Sequence, residues 1–573
     1  MINIKINDKP VSVKEGTTIL EAARENNIHI PTLCYLKGIN EIGACRMCLV
    51  EIKGARALQA ACVYPVSEGL EIYTNSEKVR EARKGTLDLI LSNHEKKCLT
   101  CVRNRNCELQ NLADELGMDE IKYEGENIKY ELDNTTPSLV RDNNKCILCR
   151  RCVAACKNQA ISVIDCVERG FNTHVAAHFE KPMSEVACIF CGQCIVSCPV
   201  GALYENSDIP KVLKAIDDTE KHVVVQTAPA VRAALGEEFG LPIGTPVTGK
   251  MVAALKRLGF DKVFDTDTSA DLTIMEEGTE FIERFTKQEN LPIITSCSPG
   301  WVKFCEHNYP EFIPNLSSCK SPMEMFGAVI KSYYAEKANI AKENIYSVAI
   351  MPCTSKKFEA SREEFNRDID ASLTTRELAR MIKQAGIDFV NLPDEEFDQP
   401  FGEATGAGVI FGTTGGVMEA AIRTVYEILE NKPLEDLNIT AVRGLEGVKE
   451  ATLKIAGKDV KVAVVHGTKN AREILERIKN GEKYDFIEVM ACPGGCINGG
   501  GQPIVDARTQ AGVNVKEKRA AALYSEDERS TLRKSHDNPN IQLLYKEYFE
   551  KPGSHKAHEL LHTHYTDRSN IKA

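Results

Sequence analysis

The stretch Glu488-Val489-Met490-Ala491-Cys492-Pro493-Gly494-Gly495-Cys496-Ile497-Asn498-Gly499-Gly500-Gly501 decides how this chain is read. It begins as an apolar run of strand character, breaks at a cysteine, and ends in a glycine-rich loop carrying a second cysteine. Two more segments share this layout: Thr295-Ser296-Cys297-Ser298-Pro299-Gly300-Trp301 follows the apolar run 291–294, and Met351-Pro352-Cys353-Thr354-Ser355-Lys356-Lys357-Phe358-Glu359 follows 348–351. Loops at strand ends are where α/β proteins place ligands, and glycines let backbone approach a bulky inorganic group. Around them, from about residue 220 onward, 223–225 reads as a buried strand and 249–258 and 374–385 as helices, so short strands alternate with helices. That pattern predicts a largely parallel or mixed sheet covered on both faces. The Gly406-Ala407-Gly408 run is expected to precede a strand, which denies it the role of a dinucleotide-binding turn, and 412–416 lacks the spacing for one.

The N-terminal third is built differently. Ile2, Ile4, Ile6, Val11 and Val13 alternate with polar residues as in a hairpin, and a helix over 19–27 follows, the layout of a small ubiquitin-like sheet. Cys34, Cys45, Cys48 and Cys62 then form a C-x10-C-x2-C-x13-C array suited to one 2Fe–2S cluster, similar to the plant-type ferredoxin pattern with a longer first gap. Next, His94, Cys98, Cys101 and Cys107 (H-x3-C-x2-C-x5-C) offer four ligands, one of them an imidazole. A zinc site has the same donors, but the position between two redox modules favours a 4Fe–4S cluster. An internal repeat follows. Cys146, Cys149, Cys152 and Cys156, then Cys188, Cys191, Cys194 and Cys198, both fit C-x2-C-x2-C-x3-C, a run that binds crosswise. Cys146, Cys149, Cys152 and Cys198 are assigned to one 4Fe–4S cluster and Cys188, Cys191, Cys194 and Cys156 to its partner. Cys166 is expected to be a plain buried thiol.

Composition agrees with a redox protein. The 573 residues are enough for several domains, and 22 cysteines in a chain that opens Met1-Ile2-Asn3-Ile4-Lys5, without a signal-peptide layout, predict metal ligation in a reducing cytoplasm rather than disulfides. A net charge of −11 with scattered basic residues argues against a nucleic-acid surface. No apolar run reaches the ~20 residues of a membrane span. Four modules in series make an electron relay, and the rest of the chain should hold what it feeds.

The three cysteine-bearing loops, in this order and behind these modules, resemble the signature motifs of iron-only (di-iron, FeFe) hydrogenases of the clostridial multi-cluster type. The resemblance runs nearly the whole chain and implies four parts: a ubiquitin-like 2Fe–2S ferredoxin domain over 1–78, a one-histidine, three-cysteine 4Fe–4S module over 79–125, a bacterial-type ferredoxin domain with two 4Fe–4S clusters over 137–209, and an α/β catalytic domain with a helical tail over 210–573, together a multidomain α+β and α/β chain. It implies reversible hydrogen oxidation and proton reduction at a 4Fe–4S cubane bridged to a di-iron subcluster bearing carbonyl, cyanide and dithiolate ligands. Carried over by motif, Cys353, Cys492 and Cys496 are cubane ligands, with Cys496 the bridge. Pro229, Ala230, Pro322, Met351, Phe411 and Met490 match the wall of the di-iron site, and Lys356 matches a residue that could hold a cyanide by a charge-assisted hydrogen bond.

The chain departs from the family at one place: where two adjacent cysteines are usual, it has Cys297-Ser298. Either Cys297 ligates the cubane and the proton relay starts elsewhere, or Ser298 coordinates weakly and Cys297 keeps the relay. The softness of an iron–sulfur site favours Cys297 as the ligand. Cys305 and Cys319 are near enough in sequence to substitute, although both also read as buried thiols. Glu277, Ser317, Glu280 and Arg284 resemble the family's proton path. Glu276 and Glu280 share a helical face at i, i+4 and Glu277 and Glu280 at i, i+3, a spacing that without the resemblance reads as a solvated acidic face. The implied electron partner is a ferredoxin or similar redox protein, with nicotinamide- or flavin-binding subunits left open. Two other readings explain less. An electron-input subunit of a larger redox complex leaves the three C-terminal motifs unused, and a hydrogen sensor or cluster-assembly scaffold has little need for four relay clusters. The histidines of the tail, His536, His555, His558, His562 and His564, invite a metal reading, but are expected instead on a charged helical segment packed against the catalytic domain.

Overall fold

A computed structural model describes residues 1–570; the last three positions of the 210–573 segment lie outside the described residues. The first sheet has five strands in the order Lys9–Val13, Ile2–Ile6, Glu71–Tyr73, Leu49–Ile52, Gln59–Ala60. Its alternating Ile4, Ile6, Val11 and Val13 turn into one core with Ile19 and Leu20 of the helix Ile19–Glu25, whose first turn is capped by the Thr18 hydroxyl accepting from Glu21 N. The helix Glu77–Ser92 carries the chain to His94, and Cys107 stands at the N-terminus of the helix Glu108–Glu115.

The internal repeat is visible in the backbone. Leu148 and Phe190 (φ +54° and +55°) and Arg150 and Gly192 (φ +64° and +69°) occupy equivalent left-handed positions just before the helices Arg151–Asn158 and Gln193–Ser197. Two short antiparallel pairs flank these loops, Leu139–Arg141 with Leu203–Glu205 and Ile164–Val167 with His174–Ala177.

The C-terminal part holds two sheets rather than the one that alternation alone predicts. In the first, Lys262–Asp265, His222–Thr227, Ile345–Met351 and Ala371–Thr374 are all parallel. The second runs Ile293–Ile294, Phe486–Met490, Lys458–His466 in parallel and closes with Val448–Ile455 antiparallel at its edge. The 22-residue helix Thr266–Lys287 packs with the helices Pro322–Val329 and Gly416–Glu430. The strand expected over 291–294 shrinks to Ile293–Ile294, since Pro292 has no N–H to give to a ladder.

One expectation is corrected: Gly406–Ile410 is a helix, not the approach to a strand. The apolar Val409-Ile410-Phe411 run is buried on all sides between the helices Thr266–Lys287 and Val515–Arg529, so its periodicity carries no helix signal. The approach is so close that a Cβ on Gly408 would sit 2.4 Å from the Asp267 carbonyl oxygen. The tail does pack on this domain, with Ile541, Leu544, Tyr545, Phe549, Ala557 and Leu561 buried against Phe264, Met325 and Phe326. Among the described residues no helix is long and apolar enough to cross a membrane.

Candidate catalytic and cluster sites

The three cysteine-bearing loops leave the C-terminal ends of Ile293–Ile294, Ile345–Met351 and Phe486–Met490 and converge on one cavity of about 80 Å³. Cys297, Ser298, Cys353, Cys492 and Cys496 line it together with Pro229, Pro322, Met323, Met351, Phe411 and Met490. Ala230 stands one layer behind, its carbonyl accepting from Gln502 Nε2 while its methyl packs with Val409 and Leu523. The glycine loop makes room: a Cβ on Gly499 would meet the Pro352 carbonyl oxygen at 2.2 Å, and one on Gly495 (φ +97°) the Thr414 nitrogen at 2.7 Å.

The donor set fits an iron–sulfur group. Burial raises the Cys353 and Cys492 thiols, and Cys353 and Cys496 raise Cys492 further, while burial pushes Cys496 up to about 12. Thiols gathered this tightly become thiolates only against a bound cation, which is what a cluster supplies. Methionine, proline and phenylalanine walls keep such a site dry and adaptable.

Within the first motif the two side chains line the same cavity but have different neighbours. Ser298 Oγ accepts from Ala491 N at 3.2 Å, beside Cys492. Burial raises the Cys297 thiol well above its usual value, and after burial the group that acts on it most is the Glu277 carboxylate. Cys305 donates to the Tyr309 carbonyl, and Cys319 lies beside Glu280; both are buried away from the cavity lining.

Lys356 Nζ donates to Glu359 Oε2 at 2.6 Å, Ser321 Oγ at 2.8 Å and the Cys297 carbonyl at 3.2 Å. Burial opposes its charge most, but Glu359 together with Cys353 and Cys297 holds the ammonium above its usual pKa. Glu359 and Ser321 are missing from the motif-based set, although Glu359 is three residues from Lys356 on one short helix, a spacing that signals an ion pair. Glu488 is another omission. It is the one charged residue in an otherwise buried strand, and it accepts from Gly415 N at 2.6 Å and Met418 N at 2.8 Å, anchoring the helix Gly416–Glu430.

From Cys297 outward the structure brings the acidic residues into one file. Glu277 is 2% exposed; burial, then Glu280, pushes it up to about 8, partly countered by a hydrogen bond with Ser317. Ser317 Oγ donates to Glu280 Oε2 at 2.8 Å, and Arg284 Nη2 donates to Glu280 Oε1 at 2.6 Å. Glu276 faces elsewhere and accepts from Tyr545 Oη at 2.6 Å. The solvated-face reading of this helix fails because the tail covers it.

The other cysteines also lie close to one another in groups. Cys48 Sγ lies 3.3 Å from Cys62 Sγ, while Cys34 N donates to Cys45 Sγ and Cys45 N to Cys34 Sγ. A cavity of about 30 Å³ is lined by Cys146, Cys149, Cys152, Cys194 and Cys198. Burial raises the Cys194 thiol well above its usual value, and Cys191, Cys188, Cys156 and Cys198 all raise it further. His94 is held below its usual pKa by burial, and its Nδ1 is buried without a hydrogen-bond partner among the described residues, as an iron-ligating imidazole requires. Cys166 is half-buried on the strand Ile164–Val167, not fully buried as expected.

The modules interlock. Arg151 grips Glu108 through two 2.8 Å bonds and donates to the Tyr35 carbonyl, while Asn40 Nδ2 bridges the Cys34 and Cys149 carbonyls. Cys191 itself lines the catalytic cavity. There Gly192 meets Gly500 backbone to backbone, Thr354 Oγ1 donates to the Phe190 carbonyl at 2.7 Å, and Gln193 Nε2 to the Asn498 carbonyl at 2.9 Å.

Comparison with known proteins agrees with this geometry. Residues 221–500 match the model of the iron only hydrogenase large subunit, C-terminal domain, and 513–568 that of the iron hydrogenase small subunit. Upstream, 1–77 match a 2Fe-2S iron-sulfur cluster binding domain, 83–122 the NADH-ubiquinone oxidoreductase-G iron-sulfur binding region, and 145–202 a 4Fe-4S dicluster domain. The chain is 48% identical to the NADP-reducing hydrogenase subunit HndD of Solidesulfovibrio fructosivorans over 100% of both chains. It is 45% identical to iron hydrogenase 1 of Clostridium pasteurianum over 99% of this chain and 100% of that protein. A solved structure of a variant of the apo FeFe-hydrogenase HydA1 from Chlamydomonas reinhardtii superposes with a TM-score of 0.56 at 44% identity, covering 63% of this chain and 99% of that one.

Proposed function

The chain belongs to the iron-only hydrogenase family, an oxidoreductase in which iron–sulfur domains feed a hydrogen-converting catalytic domain, and on that premise we propose how its residues divide the work. Cys34, Cys45, Cys48 and Cys62 hold one 2Fe–2S cluster. His94, Cys98, Cys101 and Cys107 hold a 4Fe–4S cluster, and the crosswise sets of the repeat hold two more. The boundaries 1–78, 79–125, 137–209 and 210–573 delimit these units. Electrons pass from a ferredoxin-like donor at the outer clusters to the set containing Cys191, which adjoins the catalytic cavity. The name of the relative HndD supports a second arrangement in which a nicotinamide-binding subunit is the partner. A cytoplasmic setting accords with the free thiols.

In the catalytic cavity Cys353, Cys492 and Cys496 would hold the cubane of a group that also carries a di-iron unit with carbonyl, cyanide and dithiolate ligands, Cys496 being the ligand that the two parts would share. When bound, this group supplies the heterolytic cleavage and formation of hydrogen. The chain's own residues position it and move protons. Pro229, Pro322, Met351, Phe411 and Met490 exclude water around it, and Lys356, fixed by Glu359, presents a positive charge. The divergence of the first motif supports Ser298 facing the cubane and Cys297 keeping the relay, against the softness argument that favours Cys297 as ligand. The Cys297 thiol hands a proton to the Glu277 carboxyl, and Ser317 and Glu280 carry it towards Arg284 and solvent.

The observation that carries this reading is a single dry cavity on which three distant cysteine loops and the relay residue Cys191 converge. Its test is hydrogen evolution from reduced methyl viologen after maturation with the di-iron cofactor. Evolution at enzymatic rates is expected; none at all, with the clusters intact, overturns it.

A further inference from the structure

Beyond the cluster ligands, one group of soft and hard donors is gathered at the outer carboxylate of the proposed proton route, two of them with no part in it. The Cys319 sulfur, a Glu280 carboxylate oxygen and a ring nitrogen of His562 all lie within 4.8 Å of one another, with Cys319 Sγ 3.8 Å from Glu280 Oε2. Cys319 is fully buried, and the side chains of His562 and Glu280 are 6% and 13% exposed. The tail that brings His562 here is pinned by backbone: Thr563 N donates to the Ser318 carbonyl, and Lys320 N to the Leu561 carbonyl, both at 2.8 Å. Each donor is therefore held on a fixed main chain, and His562 is further oriented by Ser318 Oγ at 2.8 Å and Glu276 Oε2 at 3.1 Å.

We propose that Cys319, Glu280 and His562 form a binding site for a zinc-like divalent cation, and that its occupancy closes the proton route. One thiolate, one imidazole and one carboxylate are the mixed donor set of a borderline-soft ion of tetrahedral preference. Metal–ligand bonds of about 2.0–2.3 Å place tetrahedral donors roughly 3.3–3.8 Å apart, so small side-chain rotations close the present spacing. Glu276, already on His562, stands in reach as a fourth donor or as the partner that fixes the imidazole. Binding requires Glu280 to give an oxygen to the ion and one ring nitrogen of His562 to exchange its present partner, Ser318 Oγ or Glu276 Oε2, for the ion, and the Cys319 proton leaves to solvent as the metal–sulfur bond forms. The binding half of this inference stands on geometry alone; the closing half rests on the proton route proposed above, in which Glu280 is the outer carboxylate.

The test titrates the loaded enzyme with zinc(II) alone, with iron content measured before and after to exclude exchange into the clusters. Equilibrium dialysis is expected to give one zinc per chain that is weakened at least tenfold by Cys319→Ala and, separately, by His562→Asn. Zinc-edge absorption is expected to report one sulfur among nitrogen and oxygen neighbours. Zinc without a sulfur neighbour, or binding unchanged in both variants while their cluster spectra stay native, overturns the site. Hydrogen evolution is expected to fall with the same half-saturation as binding, to recover on chelation, and to be insensitive in Cys319→Ala. Stoichiometric binding without loss of rate would reject the proton route through Glu280 and leave the site standing.

Discussion

Glu277 does the most with the least exposure. With a pKa pushed up to about 8 it holds its proton at neutral pH, so it can both donate and accept near the operating pH. Glu277→Gln is expected to lower hydrogen evolution by about two orders of magnitude, within the range for a positioned proton carrier, while Glu277→Asp keeps part of it. Steady-state rates should fall through a midpoint near pH 8 as the carboxyl loses its proton. The same raised pKa bears on stability: the native state binds this proton more tightly than the unfolded chain, so the contribution is fully present below the ordinary value of 4.5 and is lost as pH rises through about 8. For the first motif the roles separate under substitution. If Ser298 faces the cubane, Ser298→Cys changes the cubane's paramagnetic resonance signature and leaves turnover high, whereas Cys297→Ala leaves the signature and removes turnover. The opposite pattern makes Cys297 the ligand. At this scale the sequence revealed donor types through spacing, but not the neighbours of two adjacent side chains, because Ala491 and Glu277 come from distant segments.

Among elements, the contact between the loop at Gly192 and the loop at Gly500 is the tightest joint between relay and catalytic domain. A Cβ on Gly500 would meet the Cys191 carbonyl oxygen at 2.3 Å and Gly192 Cα at 2.6 Å, backbone that cannot swing aside. Gly500→Ala is expected to cost about 1–3 kcal/mol by overpacking, read as a lower thermal midpoint, and to slow electron delivery from the outer clusters more than it alters the catalytic group's spectrum. The glycine run was legible as a close approach; its partner was not, since 308 positions separate the two loops. Strands followed by cysteine loops were legible for the same reason that they function, as apolar runs that stop at a donor. Helix Thr266–Lys287 was not, because its acidic residues are buried by distant segments, Glu276 by the tail at Tyr545 and His562, and Glu280 by Ser317 and Ser318. Nor was Gly406–Ile410, where burial on every side erases periodicity.

For the whole molecule, the overlay with HydA1 covers 63% of this chain and nearly all of that one, so a catalytic part without the N-terminal modules is a precedent fold. Here, however, removing residues 1–209 strips Gln193, Phe190 and Gln159 from the loops that they brace at Asn498, Thr354 and Ala491. The fragment 210–573 is expected to turn over with small dyes and to lose exchange with a protein donor. It should also unfold at lower temperature than the full chain; equal protein-donor rates would show that the relay is bypassed. The modular order was legible because each module carries its own ligand spacing, while the packing between modules was hidden in single residues such as Asn40 and Arg151.

Those two residues have a consequence for how the protein is made. Arg151 follows the loop of one proposed cluster site, Glu108 follows Cys107 of another and Tyr35 follows Cys34 of a third, so one guanidinium ties the three together. A change of shape at one site is therefore felt at the next. Filling one site with iron is expected to favour filling the others, so that native mass spectrometry of iron-limited preparations shows mainly full and bare chains in place of a graded series of half-metallated ones.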